Sequence, residues 1–102
     1  MMNFYHITTP EQWAKFENQE LYEAESLHTE GFIHCSYEEQ LDETLSLYFK
    51  DQPAVLLLKI DPSVLTAKLL VEPSRDGALF PHIYGQLNKS AIQIIIKRAT
   101  IT

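Results

Sequence analysis

The chain has 102 residues, 45% hydrophobic and 22% charged, a balance that fits one soluble globular domain over 1–102 and leaves no room for a second core. No apolar run approaches the ~20 residues of a membrane helix, the opening MMNFYHITTPEQ lacks a basic head and cleavage signal, and the single cysteine excludes an internal disulfide framework; the chain reads as cytoplasmic. Net charge is −6, with eleven acids against two lysines in residues 1–51 and three acids against six bases in residues 52–102, so no basic stripe marks nucleic acid as a partner.

NFYHIT alternates around Phe4, His6 and Ile7 and predicts a first strand. Thr9 then caps a helix with Pro10 at its first position and Gln12 at the capping-box position, burying Trp13 and Phe16 and ending near Asn18. QELYEAESLHTEG has no clean period and reads as loop anchored by Tyr22 and Leu27. GFIHC predicts a second strand, after which Ser36 caps a second helix with Glu39 in its capping box. Leu41, Leu45 and Tyr48 give that helix its apolar face, and Glu38, Glu39, Asp42 and Glu43 give a solvated one.

AVLLLKI is nearly continuously apolar and predicts a central strand. DPSVL is a capped single turn and AKLLVE another strand. Residues 72–90 form a long excursion with two prolines, two glycines and Asn88, and AIQIIIKRATI closes the chain as a β-branched strand. The order β-α-β-α-β-β-β without regular βαβ alternation argues an α+β fold.

The chemistry concentrates on histidine. His6, His34 and His82 each sit in apolar or aromatic company, in FYHIT, FIHCS and FPHIYG, and long loops such as 72–85 often carry function. Cys35 faces the core by alternation while His34 faces a pocket mouth. Zinc held by His6, His34, Cys35 and His82 is disfavoured, because no short ligand pair occurs and residues 34 and 35 point to opposite faces; no metal is expected. For a nucleotide, helix starts at Thr9 and Ser36 offer N–H groups and Arg75 a guanidinium, with no glycine-rich phosphate loop.

YHIT, Trp13, SLHTEGFIHCS, Gln40, LLLKID, Glu72 and LFPHIYG together resemble the domain-of-unknown-function family 952 over nearly the whole chain. That family is similar in fold to the ADP-ribosyltransferases and RNA 2′-phosphotransferases, which use NAD. The resemblance implies small β-sheets around a cleft with two main helices, and a first-strand histidine, His6, on the cofactor's ribose. It puts Ile33 where an aromatic often walls the nicotinamide pocket, with His34 and Ser36 beside it. The late-strand glutamate of many transferases has no counterpart in AIQIIIKRATI; Gln93 is the nearest shape there and Glu72 the nearest acid.

The resulting expectation is an NAD-using ADP-ribosyltransferase-like or NAD-hydrolysing enzyme. His6, His34 and Glu72 are its catalytic candidates, and Ser36, Arg75, His82 and Tyr84 its ligand-binding candidates. His6, His34 and His82 should converge on one pocket closed by the 72–85 loop. A catalytically silent nucleotide- or metabolite-binding module competes with this reading, motivated by the missing glutamate. A protein-interaction domain using the acidic first half stands behind both. The acceptor and the oligomeric state are open.

Overall fold

The computed structural model describes residues 3–100, and Ile101, in the expected closing strand, lies outside them. In chain order the elements are β1 (Phe4–Thr8), α1 (Pro10–Ala14), β2 (Leu21–Tyr22), α2 (Glu25–Thr29), β3 (Ile33–His34), β4 (Ser36–Tyr37), α3 (Leu41–Tyr48), β5 (Ala54–Ile60), β6 (Lys68–Pro73), β7 (Leu79–Tyr84), β8 (Leu87–Asn88) and β9 (Ile92–Ala99). Single 3-10 turns lie at Glu38–Gln40, Pro62–Val64 and Lys89–Ala91. The class is α+β: a four-stranded sheet β4-β1-β5-β9, a three-stranded sheet β3-β7-β6 and a ribbon β2-β8. Every pairing is antiparallel.

Alternation in the two most apolar stretches builds the centre. The register of β1 on β5 sets Phe4 against Ile60, His6 against Leu58 and Thr8 against Leu56. Successive side chains point to opposite faces, so these strands feed two cores. Phe4, Leu58 and Ile60 pack with Ile33 and Ile83 of the three-stranded sheet and with Tyr22 and Leu87 of the ribbon. Tyr5, Ile7, Val55 and Leu57 pack on Leu41 and Leu45 of α3. Full burial of each such side chain stabilises the fold by about 1.5–3 kcal/mol. Because both faces of β5 are covered, its sequence is apolar apart from the half-buried Lys59.

The structure departs from the sequence reading at several places. The 72–85 excursion is a β-hairpin, not a loop: β6 and β7 pair from Lys68↔Tyr84 to Pro73↔Leu79. It turns through Gly77, whose φ of 91° favours glycine. Residues 19–31 contain β2 and α2 rather than loop alone. Ser36 lies in β4 rather than capping a helix; the amide of Tyr37 donates to the Gln40 side chain at 2.9 Å, and α3 starts after the 3-10 turn. Tyr48 points to solvent, 75% exposed. Thr9 does cap α1, accepting from the Gln12 amide at 3.1 Å, but the Gln12 side chain reaches forward to the Glu23 carbonyl instead of closing a capping box. Among the described residues no helix is long and apolar enough to cross a membrane.

Candidate functional site

Strand β3 and its flanks place the chemistry. Gly31, at φ 92°, leads α2 into β3. There Ile33 enters the core while His34 turns outward, paired with Ile83 and His82 of β7 respectively. Period two then lines the outer face of the three-stranded sheet with Phe32 and His34, Phe80, His82 and Tyr84, and Glu72 from β6.

The centre of that face is the Glu72 carboxylate. One oxygen, Oε1, accepts from the His82 Nδ1–H at 2.7 Å and from the Tyr84 hydroxyl at 2.6 Å. These two bonds, that from Tyr84 first, hold the Glu72 carboxyl below the usual carboxylate range, and the same contact raises the Tyr84 phenol. An ionised carboxylate only accepts, so Nδ1 of His82 carries a proton, and it is in the neutral ring that Nε2 keeps its lone pair. Phe32 stacks on the His82 ring at 4.0 Å between centroids and 21° between planes. His34 meets Phe32 edge-on at 4.8 Å and His82 at 5.4 Å. Its own Nε2 lies 3.1 Å from Glu30 Oε2, a solvent-exposed pair of small energetic weight.

Beneath His34 opens a cleft of about 350 Å³, bounded by the end of β1, the start of α2, β4 and α3. Hydroxyls dominate its polar lining, from Thr8, Thr9, Ser26, Ser36 and Thr44, with Gln12 beside them and Phe49 as an apolar wall. Ser36 and Thr44 hydroxyls face each other at 3.3 Å. Glu25 is the lining carboxylate, and neither lysine nor arginine lines the cleft.

His6 forms the floor. Its Nδ1 is 2.7 Å from the His34 carbonyl oxygen and its Nε2 is 3.0 Å from the Tyr22 hydroxyl. That hydroxyl also lies 2.8 Å from Thr8 Oγ1. A nitrogen facing a carbonyl must donate, so Nδ1 carries the proton. Nε2 of the neutral ring faces the Tyr22 hydroxyl, which donates to Thr8 Oγ1. Burial drives the His6 pKa down to about 4, against the pull of the His34 carbonyl, and pushes Tyr22 up to about 12. His6 therefore ties β1 to the backbone of His34 and has both ring nitrogens occupied.

Of the residues expected at a site, His34, Glu72, His82 and Tyr84 come together on one face, while His6, Ser36 and His34 line the cleft. His34 belongs to both, so cleft and face are continuous. His82 itself does not line the cleft. Arg75 is exposed in the β6–β7 turn and lines neither feature. Gln93 lies exposed on β9, accepting from Asn3 at 3.1 Å, and does not line the cleft. Cys35 is buried, and burial raises its thiol well above the ordinary value. Among the described residues no group of three His, Cys, Asp or Glu side chains is placed to hold a metal ion.

Sequence reasoning missed Phe32, Thr8 and Tyr22. The first two were visible as residues two positions from His34 and His6. Tyr22, at the hub of ring contacts with His6, Trp13 and Phe16 at 5.3–5.5 Å, lies in a stretch with no period to read.

The fold matches the crystal structure of protein CC0527 from Caulobacter crescentus with a TM-score of 0.84, at 32% sequence identity over 93% of this chain and 84% of that one. A double mutant of the same protein gives the same TM-score at 31% identity, again over 93% of this chain and 84% of that one. Its solution NMR structure gives 0.79 at 33% identity over 94% and 84% of the two chains. A comparison with curated proteins finds no match. A family profile described as Protein of unknown function (DUF952) matches residues 7–95, and the chain belongs to that family.

Proposed function

We propose that the cleft takes the ribosyl end of a nucleotide of the NAD class and that the adjoining dyad cleaves or transfers at its glycosidic bond. The observation that carries this reading is the Glu72 carboxylate bridging His82 and Tyr84, one imidazole away from a hydroxyl-lined cleft. Ribose hydroxyls are suited to the Thr8, Ser36 and Thr44 side chains. A cationic nicotinamide ring suits a lining that holds Glu25 and neither lysine nor arginine. The diphosphate would then lie toward solvent.

In the hydrolytic case the C1′–N bond breaks with its electron pair passing to the nicotinamide nitrogen, which leaves neutral. Water oxygen bonds to C1′ and its proton passes to His82 Nε2. Glu72 orients that imidazole through Nδ1 and supports the positive charge gathered there and on the sugar. In this role Glu72, on β6, takes the part of the glutamate that the last strand lacks, while His6 supports the site by fixing the His34 backbone. A sugar or alcohol acceptor in place of water makes the same step a transfer.

Thermal-shift and calorimetric titration with NAD, ADP-ribose and nicotinamide riboside tests the binding half. A ligand at 100 times its Kd raises stability by about 2.7 kcal/mol. Melting temperatures unmoved by all three at millimolar concentration would overturn the proposal. Binding without any nicotinamide release would assign the chain to the silent-module reading instead.

A further inference from the structure

The four-stranded sheet ends on β9, whose outer edge has no strand beside it among the described residues. Edge strands are usually short, charged, covered or broken, because an open row of N–H and C=O groups invites another chain. At the opposite edge β4 has two residues; β9 has eight, without a proline. Its centre is the run Ile94, Ile95 and Ile96, which are 49%, 47% and 39% exposed. Opposite Lys59, Leu58 and Leu57 of β5 they alternate across both faces of the sheet, so neither face shields them. The charges of this strand, Lys97 and Arg98, stand only at its C-terminal end, and Arg98 is bonded to Asp42 of α3.

We propose that a second copy of this chain pairs antiparallel along this edge, about a two-fold axis at Ile95, joining two four-stranded sheets into one of eight strands. The pattern is self-complementary, as a two-fold interface requires. Ile95 meets its own copy, Ile94 meets the partner's Ile96, and Lys97 meets the partner's Gln93, whose amide oxygen can accept from it. Charge selects this register over its neighbour. Centred on Ile96, the two Lys97 side chains would stand about 7 Å apart along the strands; centred on Ile95 they stand about 14 Å apart, beyond the ~8 Å screening length of physiological salt. A groove alongside β9, formed by Trp13, Lys89, Ile92 and Ile95, extends the apolar surface past the strand itself. That extension matters, since a strand edge alone falls short of the ~800 Å² per partner of a stable interface.

Light scattering on the full chain at sub-millimolar concentration tests the assembly. The wild type should run at twice the monomer mass, and Ile95→Lys, which sets two ammonium groups on the axis, should run as a monomer with an unchanged circular-dichroism spectrum. Ile95→Cys supplies an arm that does not depend on how the lysine variant folds. Directly opposed residues of antiparallel strands lie about 4.5–5.5 Å apart at Cα, within disulfide reach, so mild oxidation should link two chains. Native Cys35 is buried and gives little background. A monomeric wild type overturns the proposal, including one that binds a foreign strand at β9. So does a dimer that survives Ile95→Lys, or an Ile95→Cys protein that oxidation does not link.

Discussion

Acidification should weaken this fold through a single buried imidazole. The His6 pKa falls from 6.5 to about 4 on folding, chiefly because burial penalises its charged form. Its folded value is the lower one, so between those limits the unfolded chain binds the extra proton and stability drops as pH falls. At 1.36 kcal/mol for each pH unit in that interval, the loss between pH 7 and pH 4 is about 3 kcal/mol. Urea unfolding across this range reads the effect as a midpoint lowered by about 1–3 M, given a typical dependence of 1–3 kcal/mol per M. The carboxyls held low by hydrogen bonds, those of Glu23, Asp61, Glu72 and Asp76, lose their contribution at the acid end. Comparison with His6→Gln isolates the imidazole, because the amide keeps a donor and an acceptor but does not titrate. Parallel stability profiles for the two proteins between pH 7 and pH 4 refute the buried neutral histidine.

Removing the Tyr22 hydroxyl with Tyr22→Phe leaves Nε2 of His6 buried without a hydrogen-bond partner and should cost about 1–3 kcal/mol; a urea midpoint equal to that of the wild type contradicts the His6–Tyr22 contact. The Cys35 thiol, buried and raised, should react with a thiol reagent only as fast as the protein unfolds. Complete labelling of folded protein within the mixing time would show that the residue is open to solvent.

The central strands were legible because their alternation feeds real cores: Phe4 and Ile7 of β1 and Val55, Leu57, Leu58 and Ile60 of β5 are buried as their pattern required. The hairpin of β6 and β7 was obscured by its own punctuation. Pro73, Pro81 and Gly77 signal a loop, yet Pro81 is tolerated inside β7, where its carbonyl accepts from the Cys35 amide at 3.0 Å. The outward period Phe80, His82, Tyr84 was the stronger signal. In the site, motif company brought His34, Glu72, His82 and Tyr84 to notice, but no local pattern could show that Glu72 bridges two β7 side chains. That contact is diagonal across the hairpin and depends on a register that only the paired strands define. Arg75 illustrates the converse: a guanidinium beside the right residues in sequence is carried away from them by the turn.

Nicotinamide release from NAD by the wild type and by Glu72→Gln, measured beside NAD affinity for both, tests the central claim most directly. The account predicts release by the wild type, about 10²–10⁴-fold slower release by the variant, as expected when a general acid–base group loses its partner, and nearly unchanged affinity, because the carboxylate acts on charge that develops in the transition state. Release at the same rate in both proteins would remove Glu72 from the chemistry, and no release by the wild type would contradict the claim that the site cleaves NAD.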